Sequence, residues 1–360
     1  MPTPIPTPDD VDAAWLTARL REAGHAGVTV RACEAERIGT GQIGLCMRYR
    51  LYLADDPEGT APRSLVGKFP SADPVSRATG VQLRNYLKEV SFYQRLQQRL
   101  SIPTPRCYFA AIDGEGPEFA LLLEDLHPAR QGDQLAGCDA DVARAAVLAL
   151  VGLHAPSWND EALRGIDWLG EPSAQSRAKG LALYRELLPA FLGRYGHRLA
   201  DDERAIISRV ADAEAGPLFA PLPAPFSLVH VDYRLDNLLI DRAEVPPRVA
   251  VVDWQSITLG SPLADVAYFL GAGLEPPARR AAEEAIVRDY HQALQAAGIR
   301  DYGFTACWND YRRGTFAGFG VTVIASMLVQ QTARGDDMFT VMARRHSRHA
   351  IDLGAEAFLG

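Results

Sequence analysis

Three polar residues in the second half of the chain suit the chemistry of phosphoryl transfer. Asp232 and Asn237 follow an apolar, β-forming run that includes Leu228 and Val229, and Asp253 closes a second such run, 249–252. An acid, an amide and a second acid on short loops at strand ends can hold a metal-bound nucleotide and orient a hydroxyl. The pattern therefore predicts transfer of a phosphoryl group from metal-bound ATP to a hydroxyl group.

A glycine-rich loop, Gly39-Thr-Gly-Gln-Ile-Gly44, lies between two segments with strand character, 28–38 and 45–53. The second segment alternates apolar and polar residues, which is typical of a strand. A dinucleotide-binding fold needs a helix after such a loop, so the context argues against that fold. Two interpretations remain: a glycine-rich hairpin over ATP phosphates, or an ordinary turn in which glycine supplies a positive φ.

A lysine on a strand and a glutamate on the following helix form a second candidate feature. Lys68 lies in a short apolar strand, and Glu89 lies near the apolar side of the helix predicted over 75–100. Such an ion pair can place the lysine on the α- and β-phosphates of ATP. The alternative is a surface pairing of Glu89 with Lys88 or Arg95. The polar residues downstream favour the functional ion pair.

The order of the elements predicts an α+β fold with two lobes. Residues 1–8 have the proline spacing of an extended tail, and 9–123 combine antiparallel strands with one helix. The apolar run 119–123 ends abruptly, so we predict that 124–128 form a hinge whose backbone groups can read an adenine edge. The pattern of the sequence over 129–360 predicts a larger, mainly helical lobe that holds short catalytic strands.

Composition narrows the classes of function. The 360 residues are 48% hydrophobic, and the formal net charge of -8 argues against a general binder of nucleic acid or anionic membranes. No apolar run is long enough to span a bilayer, and the amino terminus lacks the charge pattern of a signal peptide. Five scattered cysteines without paired spacing predict reduced thiols in a cytoplasmic protein. No feature of the sequence makes an obligate protein partner evident.

The basic cluster Arg344–His349 contains two histidines three residues apart. Without further ligands nearby, this spacing is a weak indication of a metal site. We therefore interpret the cluster as the solvated face of a helix.

In this order, these features resemble the kinase-like phosphotransferases, most of all the aminoglycoside/choline phosphotransferase group and its ecdysteroid-kinase-like branch. The resemblance extends from Gly39 to about Leu270. Its most specific part is the HxDxxxxN pattern of 230–237 followed by Val-Val-Asp-Trp-Gln at 251–255. The resemblance implies a protein-kinase-like fold that uses ATP and Mg²⁺.

The resemblance also implies a role for each residue of the catalytic segment. Asp232 would act as the catalytic acid/base towards the acceptor hydroxyl, and Arg234 would neutralise charge on the transferred phosphoryl group. Asn237 and Asp253 would hold Mg²⁺, which prefers oxygen ligands. Asp265, on the following helix, would hydrogen-bond the catalytic loop.

Nucleotide-binding roles follow from the same resemblance. Lys68 would contact the α- and β-phosphates and would be held by Glu89. The remaining positions would bind the nucleotide through backbone groups. The backbone at Gly39, Gly41 and Gly44 would approach the phosphates closely. Backbone groups around Glu124 and Leu126 would bind the adenine.

The sequence also limits the kind of acceptor. Only a short loop separates Asp253 from Pro262, which leaves no room for a long, peptide-docking activation segment. A small hydroxylated molecule is therefore the favoured acceptor. The ecdysteroid-kinase-like resemblance favours a less polar acceptor, and aminoglycoside, choline-like and sugar acceptors stay open.

Val231 departs from the family pattern, because related sequences usually have glycine there. The alternative function is a catalytically silent nucleotide-binding or scaffolding relative.

Overall fold

A computed structural model describes residues 5–39, 43–170, 173–213 and 217–359. The chain forms two compact units, which are described separately. The first unit comprises the chain up to Leu100, Thr104–Pro128 and Val252–Ser256. The second unit comprises Ser101–Pro103, Ala129–Val251 and Ile257–Gly360. The predicted hinge at 124–128 ends where the chain passes from the first unit to the second, but its role as a hinge stays a prediction.

An antiparallel sheet of five strands, in the order β1-β2-β3-β5-β4, forms the centre of the first unit. The strands are β1 (Thr29–Ile38), β2 (Gly44–Asp55), β3 (Ser64–Pro70), β4 (Cys107–Ile112) and β5 (Phe119–Glu124). Lys68 lies in a central strand, opposite Cys46 of β2 and Leu121 of β5. Helix α1 (Ala13–Glu22) begins at Asp12, whose side chain accepts a hydrogen bond from the Trp15 N–H. Leu16 and Leu20 of α1 are buried in the core of this unit.

The helix predicted over 75–100 is divided in the structure. Helix α2 (Pro74–Gln82) ends before Arg84, which has a φ of 58°, and helix α3 (Asn85–Ser91) follows. A left-handed residue cannot continue a right-handed helix, so the chain changes direction there. A π-helical segment, Phe92–Leu96, continues α3. The break allows α3 to bury Glu89, whose exposed fraction is 2%.

The second unit is mainly helical and contains two small antiparallel sheets, β10-β7 and β6-β8-β9. Its strands are β6 (Arg130–Gln131), β7 (Ser227–Val229), β8 (Leu238–Asp241), β9 (Arg248–Val251) and β10 (Thr258–Gly260). Its helices are α4 (Ala140–Ala149), α5 (Val151–His154), α6 (Ala174–Tyr195), α7 (Asp201–Asp212), α8 (Pro262–Gly273), α9 (Pro276–Ala296), α10 (Phe304–Gly314), α11 (Ala317–Phe319), α12 (Ser326–Leu328) and α13 (Ala333–Asp352). A π-helical segment, Gly320–Ala325, joins α11 to α12.

The prediction that the basic cluster 344–349 is solvated is wrong. Arg345, His346 and His349 are buried within α13. The Arg345 guanidinium donates to the carbonyl oxygens of Gln134 and Ala272 and pairs with Glu275, so it satisfies backbone acceptors that burial would otherwise leave without a partner. Its charge is therefore compensated inside the unit.

His346 is packed tightly between neighbouring elements. A Cβ atom added at Gly318 would lie 2.3 Å from the His346 ring, and the ring stacks on Tyr268 with 5.2 Å between centroids. Neither ring nitrogen has a hydrogen-bond partner among the described residues. Burial, together with His349, Arg345 and Arg279, lowers the pKa of His346 to about 3. The imidazole is therefore neutral at physiological pH.

We expect the buried His346 to make stability depend on pH. Its pKa in the folded state is about 3, below the ordinary value of 6.5, so the unfolded chain binds the proton first as pH falls. The stabilising contribution is present above pH 6.5 and is lost towards pH 3. From this residue alone, the free energy of unfolding should fall by about 2 kcal/mol between pH 7 and pH 5.

Urea unfolding at pH 7, 6 and 5 measures this dependence. His346→Leu should remove this part of the pH dependence of the free energy of unfolding. His197→Leu, at an exposed histidine, should leave the pH dependence unchanged. Equal pH dependence in the wild type and in His346→Leu would contradict the assignment.

Candidate active site

The turn after β7 is fixed by one carboxylate. Asp265, in the first turn of α8, accepts hydrogen bonds from the backbone N–H of His230 at 2.6 Å and of Val231 at 2.9 Å. Two successive N–H groups that converge on one anion form a turn-like concavity. Asp265 therefore holds the segment that leads into Asp232, as the sequence predicted.

Three donors hold the Asp232 carboxylate. The Arg234 Nε lies 3.0 and 3.1 Å from the two carboxylate oxygens, the Tyr268 hydroxyl lies 3.0 Å from Oδ1, and the Asn237 Nδ2 lies 2.9 Å from Oδ2. A carboxylate offers about four lone-pair sites, and these contacts engage two on each oxygen, with the Arg234 N–H shared between both oxygens. The Asp232 side chain is 22% exposed, which gives solvent access to it.

These contacts keep Asp232 ionised. Burial would raise the pKa of its carboxyl, but the Arg234 guanidinium and the hydrogen bonds from Arg234 and Tyr268 hold the pKa below its ordinary value. Burial and the adjacent carboxylate raise the pKa of Tyr268 well above its ordinary value, so the phenol stays protonated and donates. Asp232 is thus a fixed anion rather than a strong base.

Arg234 is shared between two carboxylates. Besides its bond to Asp232, its guanidinium donates to Asp236 Oδ2 and contacts the Met338 sulfur at 3.3 Å. The structure therefore shows Arg234 orienting Asp232 and Asp236. The predicted action of Arg234 on a transferred phosphoryl group remains a prediction.

Tyr268 was not identified from the sequence. It lies three residues after Asp265 on α8, a spacing that places both side chains on the same helix face. That spacing is the signal that could have found it. Asp265 holds the backbone before Asp232, and Tyr268 holds the Asp232 carboxylate itself.

We expect Tyr268→Phe to lower kcat by about tenfold while KM for the nucleotide changes little, because a hydrogen bond to a charged group contributes about 1.5–3 kcal/mol. Steady-state kinetics with both substrates varied measures the two constants. Tyr311→Phe is the matched control, because this buried tyrosine donates to a different carboxylate, that of Glu283. A kcat for Tyr268→Phe equal to that of the control would contradict a positioning role.

In the first unit, Lys68 lies between two carboxylates. Its Nζ donates to Glu89 Oε1 at 2.7 Å and to Asp253 Oδ1 at 2.8 Å. The structure thus brings together the lysine and the glutamate that the sequence suggested as a pair. The surface alternative, with Lys88 or Arg95 as the partner of Glu89, is not what the structure shows.

The buried position shifts the pKa of both partners. Burial of the ammonium would lower the pKa of Lys68, but the negative charges of Asp253 and Glu89 raise it well above its ordinary value. Burial raises the pKa of Glu89 to about 7, although the Lys68 ammonium opposes the shift. Lys68 is therefore a permanent cation.

The segment around Asp253 is held in a strained backbone conformation. Asp253 has a φ of 68°, in the left-handed region. The Asn85 side chain donates to the Gln255 carbonyl at 3.0 Å, and Trp254 stacks on Phe92 with 3.9 Å between ring centroids. These contacts with α3 and the adjacent π-helical segment over-determine the conformation of Asp253.

The two predicted metal ligands offer oxygen atoms of the required kind. Asn237 donates through Nδ2 to the carbonyl and carboxylate of Asp232, which fixes the amide orientation and leaves Oδ1 without a hydrogen bond to the part of the chain that the structure describes. The Asp253 side chain is 25% exposed and accepts from Lys68 and Gln255. A side-chain carbonyl and a carboxylate fit Mg²⁺, which also binds phosphate oxygens.

The glycine loop is described in part, because Gly41 lies outside the described residues. Gly39 has a φ of 71°, which glycine adopts without strain. A Cβ atom at Gly44 would lie 3.1 Å from Lys68 Cε, so the absence of a side chain leaves room for the lysine stem. Whether the loop approaches phosphates stays a prediction.

The predicted adenine-reading segment follows β5. Glu124 is the last residue of β5, and its Oε2 accepts from the Arg106 N–H at 3.1 Å. Leu126 is half-buried. Between them, Asp125 pairs with Arg48 at 2.7 Å, a contact that the sequence did not suggest. The roles of Glu124 and Leu126 stay predictions.

Comparison with known proteins gives one curated relative and several similar structures. A stretch of 54 residues is 52% identical to acyl-CoA dehydrogenase family member 10 of Mus musculus, and covers 14% of this chain and 5% of that protein. The chain thus matches a small part of that relative's length. No helix among the described residues is long and apolar enough to cross a membrane.

Two of the solved structures that share the fold are a choline kinase and an aminoglycoside phosphotransferase. Choline kinase from Cryptosporidium parvum Iowa II has a TM-score of 0.54 at 11% identity, over 90% of this chain and 89% of that chain. The GDP complex of aminoglycoside 2'-phosphotransferase-IIIa has a TM-score of 0.52 at 12% identity, over 94% of this chain and 99% of that chain. The predicted α+β, kinase-like fold is confirmed.

The family assignment comes from the sequence itself. Residues 58–305 match the family described as "Phosphotransferase enzyme family" (APH). This range contains Lys68, Glu89, Asp232, Asn237 and Asp253. The predicted assignment to phosphotransferases is confirmed, whereas the ecdysteroid-kinase-like branch stays a prediction. The chain belongs to the phosphotransferase enzyme family.

Proposed function

We propose that this protein is a small-molecule kinase that transfers the γ-phosphoryl group of ATP to a hydroxyl group. The observation that carries the proposal is the ionised Asp232 carboxylate, which Arg234, Tyr268 and Asn237 hold in a fixed orientation while its side chain stays partly exposed to solvent. An acceptor hydroxyl is a donor of the kind that this site can bind.

The residues divide the work of the transfer. Asp232 orients the acceptor hydroxyl; a new bond forms between the acceptor oxygen and the γ-phosphorus, and the bond to the β–γ bridging oxygen breaks. The nucleoside diphosphate leaves, and the hydroxyl proton passes to the Asp232 carboxylate. Because the transition state of phosphoryl transfer is loose, a weak base suffices, which agrees with the lowered pKa of Asp232.

Lys68 supplies a fixed positive charge. We infer that its ammonium, held by Glu89 and Asp253, contacts the α- and β-phosphates. The chain contains 3 lysines among its 37 basic residues, so arginine is the usual cation. A compact ammonium at this position can bind several oxygen partners at once. The planar guanidinium of an arginine binds such a set of partners less well.

We assign Asn237 Oδ1 and the Asp253 carboxylate as ligands of Mg²⁺. When bound, Mg²⁺ would neutralise charge on the phosphate oxygens. The GDP complex of the similar aminoglycoside phosphotransferase supports nucleotide use, and it makes GTP a donor to be tested beside ATP. The cytoplasmic location stays a prediction from the sequence.

A screen of a metabolite pool tests the proposal. The protein is incubated with the pool, Mg²⁺ and either ATP or GTP, and mass spectrometry detects compounds that gain one phosphoryl group. Nucleotide-dependent appearance of a phosphorylated small molecule supports the proposal. Binding of Mg²⁺-nucleotide without transfer to any compound would favour the catalytically silent alternative.

A further inference from the structure

Val231, directly before Asp232, has a backbone conformation that is unfavourable for its side chain. Its φ is 72°, and it is the one β-branched residue among the described non-glycine residues with a positive φ. In this region the branched Cβ crowds the backbone, which makes such a residue an outlier. The bond from the Val231 N–H to Asp265 Oδ1 holds the conformation in place. Glycine would occupy the same position without strain.

The Val231 side chain is also exposed. Its exposed fraction is 36%, whereas the other apolar residues of 227–238 are buried: Leu228, Val229, Tyr233, Leu235 and Leu238. The residue therefore presents apolar surface to solvent beside the reacting carboxylate. Because the Val231 side chain is exposed, core packing does not offset the strain of its backbone. A backbone outlier without such compensation indicates a functional role.

Apolar groups also pack against the residues that hold Asp232. Tyr268, which donates to Asp232, packs in a cluster with Met342 and with the partly buried Val321 and Met338. Met338 also touches the Arg234 guanidinium through its sulfur. The surroundings of the Asp232–Arg234 pair within the second unit thus include several aliphatic and thioether groups.

Two acidic groups of the second unit, Asp236 beside Arg234 and Asp336 on α13, are already paired. Asp236 is bound by Arg234 and lies 3.6 Å from Arg334, and Asp336 accepts from Tyr195 and Gln331. An acceptor with several ammonium groups needs carboxylates that are free to bind them. The apolar and neutralised surroundings therefore favour an acceptor that is not polycationic.

We propose that Val231 is a specificity-determining residue that contacts an aliphatic part of the acceptor next to the reacting hydroxyl. The inference rests on the proposed kinase function and names its substrate class: hydroxylated molecules with an aliphatic portion beside the hydroxyl. Burial of the Val231 side chain against the acceptor compensates for the backbone strain.

A homologous series of alcohols tests the contact. Phosphoryl transfer to the primary alkanols from ethanol to octanol is compared with transfer to glycerol and erythritol. For the wild type, kcat/KM should rise by up to about fourfold for each buried methylene. Val231→Thr keeps the shape and the branched Cβ but replaces a methyl group by a hydroxyl, so it should weaken this dependence.

Val231→Gly separates the functional contribution from the structural one. It should raise Tm by about 1–4 °C by removing strain, and raise KM for the longer alkanols by about tenfold. KM for the nucleotide should stay within about twofold. Val245→Thr is the matched control, because Val245 is 97% exposed in the turn between β8 and β9.

Each outcome decides the inference. A chain-length dependence that is lost in both Val231 variants and kept in Val245→Thr supports it. The same dependence in all variants, or transfer to polyols but not to alkanols, overturns it while the kinase function stands. Absence of transfer to these alcohols and to every compound of the metabolite pool overturns the inference together with the proposed function.

Discussion

Asp232→Asn is expected to lower kcat by about 10³-fold while the dissociation constant of the nucleotide changes by less than about threefold. The carboxylate accepts from Arg234, Tyr268 and Asn237 at once. An amide has one oxygen in place of two, and its N–H₂ group would face donors. The variant therefore loses both the negative charge and the fixed orientation that an acceptor hydroxyl requires.

Single-turnover kinetics and nucleotide titration by calorimetry measure the two quantities separately. Circular dichroism and thermal unfolding establish that the variant is folded, because donors left without a partner cost about 1–3 kcal/mol. Asp212→Asn is the control, since Asp212 is exposed at the end of α7. A variant at position 232 that kept full turnover would refute the assignment of Asp232.

Lys68→Met is expected to lower kcat/KM for the nucleotide by about 10²–10³-fold, because a fixed positive charge on the phosphates is lost. The substitution also leaves the carboxylates of Glu89 and Asp253 without the ammonium that both accept from. Removing one partner of a buried ion pair costs about 3–5 kcal/mol, so Tm should fall as well. Lys68→Arg should not restore activity, because the guanidinium fork cannot reproduce the compact ammonium.

A double-mutant cycle with Glu89→Gln distinguishes charge loss from distortion. If Glu89 acts by holding Lys68, the double variant should lose little more activity than Lys68→Met alone. Lys179→Met, at an exposed lysine of α6, is the control for the loss of a lysine. Fully additive losses would show that Glu89 acts independently of Lys68.

Strained backbone occurs at Val231 in the second unit and at Asp253 in the first. Val231 and Asp253 have positive φ values, and in each case contacts outside the residue enforce the conformation. Such strain costs about 1–3 kcal/mol per residue and persists where surrounding structure over-determines it. A glycine at position 231 would avoid this cost. The proposed contact between Val231 and the acceptor gives the strain a physical reason.

Much of the fold was predictable because its signals are local. Strand character at 28–38, alternation at 45–53 and the apolar run 119–123 predicted β1, β2 and β5 to within a few residues, and the apolar runs that end in polar residues predicted the segments of Asp232 and Asp253. The break between α2 and α3 was not predictable, because Arg84 carries none of the usual signals of a left-handed residue. The burial of α13 was missed for a related reason: a basic helix face looks solvated until partners from distant segments cover it.

The sequence by itself determined the phosphotransferase family and the residue types available for chemistry, because the family match over residues 58–305 and the polar residues within it are properties of the sequence alone. Only the tertiary structure decided which hydrogen-bond partners each of these groups has. Lys68 bonds Asp253 across 185 residues, and Tyr268 of α8 bonds Asp232. Local sequence patterns contain no information about such distances, since chain folding rather than spacing selects the partner. The set of donors that orients the Asp232 carboxylate is therefore a property of the fold.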